Sequence, residues 1–303
     1  MKKTKLKPYV QKVKGAKNYA LYDLYKNDLY AITPGGDIEE LKLNLKDAGL
    51  TFETSGIVPF KTVIDLNNEK DTVYIRELQI RLNGRDEDNC LNRKKVSEER
   101  GFISDKTLCH LKNEIKNILI KKISLEAETE EPAKIEFILN DFPFEEIVIF
   151  VESGINIQKQ EQYRKICGHR NKRINILTDG KKNLKELKVD IYAFFYNQHF
   201  NPCLGHQIAV DCRGGIKPCL WSKIVLGKIG QSKILDMIIS GAFDVYWKLT
   251  KDKIEICKEC EFRYACPDCR ESSKYNNKED FNKIKPVYCN YDPYSGDLSK
   301  APL

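Results

Sequence analysis

The chain has 303 residues, of which 41% are apolar and 31% charged, and it carries a net charge of +7. This is the composition of a globular protein with ample core-forming side chains, and it excludes a disordered or fibrous chain. Lysine is spread along the whole sequence without a long basic block, so charge gives no case for nucleic acid as a partner.

The first residues, Met1 to Lys14, are basic and lack the apolar core of a secretion signal, from which a cytoplasmic location is expected. Two apolar-aromatic runs follow, Tyr19–Tyr25 and Leu29–Thr33, joined around Asn27-Asp28, and they predict a β-hairpin. Pro34-Gly35-Gly36 breaks the pattern. Ile38, Leu41, Leu45 and Ala48 then line one face of a short helix that Gly49 ends, and Leu50–Glu53 is expected to return as a strand. Residues 1–60 are therefore taken as a small α+β unit suited to docking a peptide.

Next comes a rhythm of strands and helices. Val73–Leu82 is a strand candidate, and Leu108, Leu111, Ile115, Ile118 and Leu119 recur at helical spacing behind Ser104 or Asp105 as cap. The acidic stretch Glu126–Glu131, with Pro132 behind it, predicts a solvated loop. Lys134–Leu139 and Glu146–Val151 read as strands, Gln158–Cys167 as a helix and Ile174–Leu177 as a strand ended by Asp179-Gly180. Lys182–Leu187 is a short helical piece and the aromatic run in Asp190–Tyr196 a last strand. The apolar run from Ile147 to Val151 has the length of a buried strand and not of a membrane span, so no membrane is expected as a partner. Alternating strands and helices imply parallel βαβ units in an α/β domain over 61–200, with about five strands, short of a full eight-stranded barrel.

Eleven cysteines need an account in a reducing compartment, where disulfides are rare. Cys90, Cys109 and Cys167 are scattered and fit the behaviour of small buried hydrophobes. The other eight fall between Cys203 and Cys289. They run Cys203, Cys212, Cys219, then, after 37 residues, Cys257-x2-Cys260-x5-Cys266-x2-Cys269, and last Cys289. Two residues between cysteines let one turn present both sulfurs to a metal or cluster, and thiolates suit iron–sulfur clusters and zinc alike. Gly214, Gly215 and Pro218 are placed to shape such a turn beside Cys219. Eight thiolates match two fully ligated four-iron clusters. Arg263 and Arg270 are read either as neutralising an anionic cluster or as surface charges, and His199 and His206 as structural residues.

Cys203-x10-Gly214-x4-Cys219, the Cys-x2-Cys-x5-Cys block and the final Cys289 resemble a SPASM domain, the auxiliary iron–sulfur module found downstream of radical SAM domains. The stretches IKPCLWSK, LGKIG and CKECEFRYACPDCR, with VKGAKNYALYDL and LYAITP near the start, are similar to the SPASM proteins of grasp-with-spasm peptide maturation systems. One spacing departs: the pattern commonly has three residues after the third cysteine of the block, and here there are two, Pro267 and Asp268.

The resemblance implies that Cys203, Cys212, Cys219 and Cys269 hold one 4Fe-4S cluster and that Cys257, Cys260, Cys266 and Cys289 hold another. It also implies a C-terminal SPASM domain over 201–303, a precursor peptide as partner and an ATP-grasp ligase beside it. A radical SAM enzyme needs Cys-x3-Cys-x2-Cys after its first barrel strand, and Cys90 alone stands there, since Cys109 and Cys167 are too remote. The middle is thus expected to be a degenerate radical SAM-like partial (β/α) barrel, with no SAM bound, no catalytic residue assigned and no autonomous radical SAM catalysis. The competing readings are an active radical SAM peptide maturase and a zinc-stapled interaction protein.

Overall fold

The computed structural model describes residues 3–35, 38–54, 73–84, 100–177, 187–270, 284–286 and 288–301. Contacts sort the chain into two compact units that interleave along the sequence. The first gathers Met1–Leu66, Leu184–Pro202 and Leu249–Leu303, and the second Asn67–Asn183 and Cys203–Lys248. The three consecutive domains expected at 1–60, 61–200 and 201–303 divide the chain by position. The contacts instead divide the cysteine-rich segment itself.

The first unit begins with β1 (Lys3–Leu6), β2 (Val10–Lys14), β3 (Tyr19–Asp23) and β4 (Asp28–Ile32), followed by α1 (Ile38–Asp47) and β5 (Thr51–Thr54). β2, β3 and β4 form an antiparallel meander, and β5 returns to pair with β1. The β3–β4 hairpin turns through Asn27, whose φ of 62° is one that asparagine tolerates better than most residues. Side chains alternate along β3: Ala20 and Tyr22 enter a core with Val13, Leu24, Phe194, Phe262, Ala265 and Tyr291, while Leu21 joins Val10 and Leu50. The predicted hairpin thus shares its core with the cysteine-rich segment.

In the second unit lie β6 (Tyr74–Gly84), β7 (Gly101–Phe102), α2 (Asp105–Ile115), β8 (Leu119–Ala127), α3 (Pro132–Asp141), β9 (Glu146–Val151), α4 (Ile157–Gly168) and β10 (Arg173–Leu177). The chain passes through the first unit as α5 (Ile191–His199) and returns as β11 (Gln207–Val210), β12 (Gly215–Lys217), β13 (Gly227–Lys228), α6 (Ile234–Ile239) and α7 (Asp244–Trp247). One mixed sheet runs β10-β9-β8-β6-β11-β12-β13, with β7 antiparallel to the end of β6. Its first five strands are parallel, and β12 and β13 extend it as an antiparallel ladder. Short crossover helices separate consecutive parallel strands, so the unit is α/β with a parallel-rich sheet.

Four sequence expectations fail here, each for a local reason. Leu119 opens β8 instead of closing α2, because the helix ends in a turn where Ile118 N–H donates to Ile115 O. Glu126 is no loop residue: it is buried at the end of β8, 3.5 Å from Arg81. Lys134–Leu139 is helical. Pro132 stands in the first turn of α3, and Ile135, Ile138 and Leu139 are buried at helical spacing. Asp190–Tyr196 is not a strand either, since the Asp190 carboxylate caps α5 by accepting Ala193 N–H at 2.6 Å. The cap overrides the β-propensity of the aromatic run. The segments around Cys90, Asp179-Gly180 and Lys182–Glu186 lie outside the described residues.

Among the described residues no helix is long and apolar enough to cross a membrane.

Candidate metal centre

Cys257, Cys260, Cys266 and Cys289 all lie in the first unit, in a segment built of turns. A single 3-10 turn, Cys257–Glu259, starts it, and Cys260 N–H closes on Cys257 O at 3.0 Å. Cys266 N–H donates to Phe262 O and Cys289 N–H to Pro286 O, each at 3.0 Å. The hairpin sheet holds these turns from below. Ala16 N–H donates to Glu259 O at 2.8 Å, the Tyr22 hydroxyl to Glu261 O at 2.8 Å, and Arg263 to Lys14 O at 2.9 Å. Gly15 admits this approach, since a Cβ there would stand 2.3 Å from the Glu261 carboxylate.

The four thiols feel one another. Cys289 acts on Cys257 and on Cys266, Cys257 acts on Cys260 and on Cys266, and Cys266 acts on Cys260. None of the four is in a disulfide. Burial raises all three of the thiols Cys257, Cys260 and Cys266 above the ordinary thiol range, Cys266 to about 11, and the neighbouring thiols raise them further. A buried thiolate lacks solvent to stabilise it, so the group becomes anionic only beside compensating positive charge.

Some of that charge is built in. Lys251 is 1% exposed, with Nζ 4.0 Å from Cys257 Sγ and 3.3 Å from the Asp268 carboxylate. Arg270, also 1% exposed, grips the same carboxylate oxygen through Nε at 2.8 Å and Nη2 at 2.5 Å, and its Nη1 donates to Ile284 O. Asn201 donates to the other oxygen at 2.9 Å. Burial disfavours the Lys251 ammonium, yet Asp268 and the thiols of Cys266 and Cys257 outweigh it and raise its pKa; the two cations in turn hold the Asp268 carboxyl below its ordinary range. Glu261, the residue after Cys260, is buried. Its Oε1 accepts the Tyr291 hydroxyl at 2.5 Å, and its Oε2 has no hydrogen-bond partner.

Sequence reasoning singled out Arg270 and Arg263 together, and the structure separates them. Arg270 is fully buried on Asp268, whereas Arg263 bridges the Asp252 carboxylate and the Lys14 carbonyl at the surface. Lys251 and Asp268 were missed. Asp268 lies inside the cysteine block, but nothing in the local text marks a lysine six residues before Cys257 as buried.

The remaining predicted ligands are distributed otherwise. Cys203, Cys212 and Cys219 belong to the second unit and Cys269 to the first. Cys212 follows β11 at the hairpin tip, where Gly214, with φ of 81°, turns the chain into β12, and Cys219 follows β12. The Asp211 carboxylate ties the tip together by accepting Arg213 and Gly215 N–H and pairing with Lys217 at 3.0 Å. Arg76 donates to Cys203 O. His206 packs between Tyr74 and Trp247 with tilted rings, the centroids at 5.5 and 5.0 Å. Among the described residues no three His, Cys, Asp or Glu side chains converge closely enough to hold a single metal ion.

No family model matches the chain, and no curated protein matches it. Among solved structures it is similar to selenomethionine BtrN in an open conformation, at 15% identity and TM-score 0.37, over 61% of this chain and 92% of that one. It is also similar to BtrN in complex with AdoMet and 2-DOIA, at 11% identity and TM-score 0.35, over 63% and 97%. At these scores and identities neither likeness bears on fold or function.

Proposed function

We propose that Cys257, Cys260, Cys266 and Cys289 hold one four-iron cluster, that Cys203, Cys212, Cys219 and Cys269 hold a second, and that the protein serves the maturation of a ribosomally synthesised peptide as a cytoplasmic SPASM-type protein. One observation supports the first part: the four cysteines that the SPASM resemblance groups together all lie in one unit, in a segment of turns where Cys257 and Cys266 are buried and a buried lysine reaches Cys257 Sγ at 4.0 Å. A four-iron cluster takes one thiolate per iron and so spreads its ligands, whereas zinc draws four donors to a single point. When bound, a cluster supplies an electron-carrying centre and staples the turns that present it.

The peptide and ATP-grasp partners rest on the resemblance of the motifs. β4, an edge of the three-stranded sheet and half exposed, supports strand addition as the docking mode. A catalytic role in SAM cleavage is not part of the proposal, because Cys90 alone stands at the expected motif.

The test is anaerobic, iron-replete reconstitution of the full chain followed by iron, sulfide and zinc analysis. Iron and sulfide near two four-iron clusters per chain are expected, and stoichiometric zinc without iron overturns the reading. For the docking mode, added precursor peptide should slow amide exchange in Asp28–Ile32. Equal exchange with and without a peptide that binds rules that edge out.

A further inference from the structure

The loop that joins β12 to β13 forms one wall of a cleft of about 510 Å³ in the second unit, and no cysteine is among its lining residues. The wall is held from behind by buried amides. Leu220 N–H donates to Gln79 Oε1 at 3.1 Å, and Gln207 Nε2 donates to Pro218 O at 3.0 Å. Leu226 N–H returns to Ile216 O at 2.8 Å, and the Ser222 hydroxyl accepts Ile224 N–H at 3.2 Å. A cleft on so fixed a frame is preformed. Its lining is cationic. Lys217, its side chain 10% exposed, places Nζ 3.0 Å from the Asp211 carboxylate, whose other oxygen accepts Arg213 and Gly215 N–H. Lys223 and Lys228 stand exposed at the rim, and among the described residues neither has a carboxylate partner. Beside these cations the lining is apolar: Leu220, Trp221 and Val225, the last 56% exposed. The N–H groups of Arg213, Gly215, Leu220 and Ser222 are already donated within the protein, so these amides form no phosphate cradle. Separate lysine stems beside an apolar wall suit spaced carboxylates alternating with apolar side chains, as on an extended acidic peptide.

We propose that this cleft binds an acidic segment of a peptide, with carboxylates at Lys223 and Lys228 and an apolar side chain against Val225. The inference needs neither cluster. It rests on the peptide reading above for the choice of an extended chain as occupant, and it names the chemistry of that chain. β13, which carries Lys228, is the last strand of its sheet, and among the described residues no strand pairs with its outer edge, which is left for the backbone of such a segment. Exposed ion pairs are individually weak and screened by salt, so the site contributes capture rate and selectivity more than affinity.

The experiment is titration of the full chain with a fluorescent Glu-Leu-Glu-Leu-Glu peptide, with its Lys-for-Glu counterpart and inorganic phosphate as the other probes. The acidic peptide should bind and weaken as salt rises, and the basic one should not bind. Carbodiimide coupling should join its carboxylates to Lys223 or Lys228, as read by peptide mapping. Lys223→Glu combined with Lys228→Glu should weaken binding about tenfold. Lys165→Glu, exposed on α4, should leave it unchanged. The coupling is read on the parent chain, so it decides even where the double variant fails to fold. Coupling at other lysines, or binding that a folded double variant retains, overturns this inference; slowed exchange in Asp28–Ile32 with the same peptide would then leave docking at β4 standing. Displacement of the peptide by equimolar phosphate makes the cleft a phosphate site and overturns the inference too. So does an acidic peptide that does not bind at all, and none of these results touches the iron content on which the cluster assignment is judged.

Discussion

Cys257, Cys260, Cys266 and Cys289 are carried by turns, whereas Cys212 and Cys219 are carried at the ends of β11 and β12, strands that extend an eight-stranded sheet. The sheet's geometry is fixed by ladder hydrogen bonds and by a core of Leu78, Ile80, Ile123, Leu125, Ile147 and Ile149, all at most 1% exposed. The turn segment has no such ladder. It leans on β2 and β3 and on a buried ionic cluster, and burial raises the thiols of Cys257, Cys260 and Cys266. The difference is one of what supplies the frame: in the second unit backbone pairing does, and in the first, on the cluster assignment proposed above, a bound group would complete it.

The largest effect should follow from removing a ligand in the turn segment. Cys257→Ala or Cys260→Ala should lower bound iron by about one cluster's worth and expose the backbone of residues 249–270 to hydrogen exchange. Cys109→Ala, at an exposed position on α2, should change neither. Equal tolerance at all three sites would contradict a ligand-completed frame.

In the sheet the reverse holds. Ile123→Ala removes a fully buried side chain between β6 and β9 and should destabilise the second unit by about 2–5 kcal/mol, measured by denaturant unfolding. A frame made by backbone pairing predicts that the loss is the same with and without added iron. A loss that iron repairs would erase the contrast between the units.

A smaller effect belongs to the staple between hairpin and turns. Tyr22→Phe keeps the ring against Phe194 but strips the buried Glu261 carbonyl of its donor, which should cost about 1–3 kcal/mol. The shared core also means that the hairpin cannot be deleted to test peptide docking without disturbing the cysteine turns, since Val13, Ala20 and Tyr22 pack with Phe262 and Ala265.

How much of this was legible beforehand differs by level. The Asn27 hairpin, the Ser104-capped helix, β9 and α4 follow from period and caps, which act within a few residues. β8 was hidden because Ile118 and Leu119 continue the helical spacing of α2 and Glu126 opens an acidic run that reads as a loop. Ser124 and Glu126 in fact alternate onto a face where they meet Glu77 and Arg81. Five parallel strands were expected and five are present, but two expected ones are helices and β8 and β11 took their places. Spacing alone marks the run Cys257, Cys260, Cys266 and Cys269, and only the resemblance to a SPASM domain exchanges Cys269 for Cys289. The charge around that run was not legible, because Lys251 and Glu261 are ordinary surface residue types whose burial only tertiary contacts decide.

The last and smallest effect tests the second unit on its own. His206 is largely buried, and that burial, with the Arg76 guanidinium nearby, pushes its pKa down from 6.5 to about 4; Asp244 opposes the shift and Lys248 adds to it. The folded state therefore binds its proton less readily than the unfolded chain does, and between these two values the unfolded state holds more protons. Stability should be full above pH 6.5 and fall as pH drops towards 4. At pH 5.5 the unfolded imidazole is about ten to one protonated while the folded one stays neutral, so the loss is about 1.4 kcal/mol relative to neutral pH. His206→Gln should flatten that slope while keeping a polar side chain at a residue whose φ of 49° disfavours branched ones. The measurement is denaturant unfolding of parent and variant at pH 7.5 and 5.5, and an equal drop in both would show that His206 does not carry the proton.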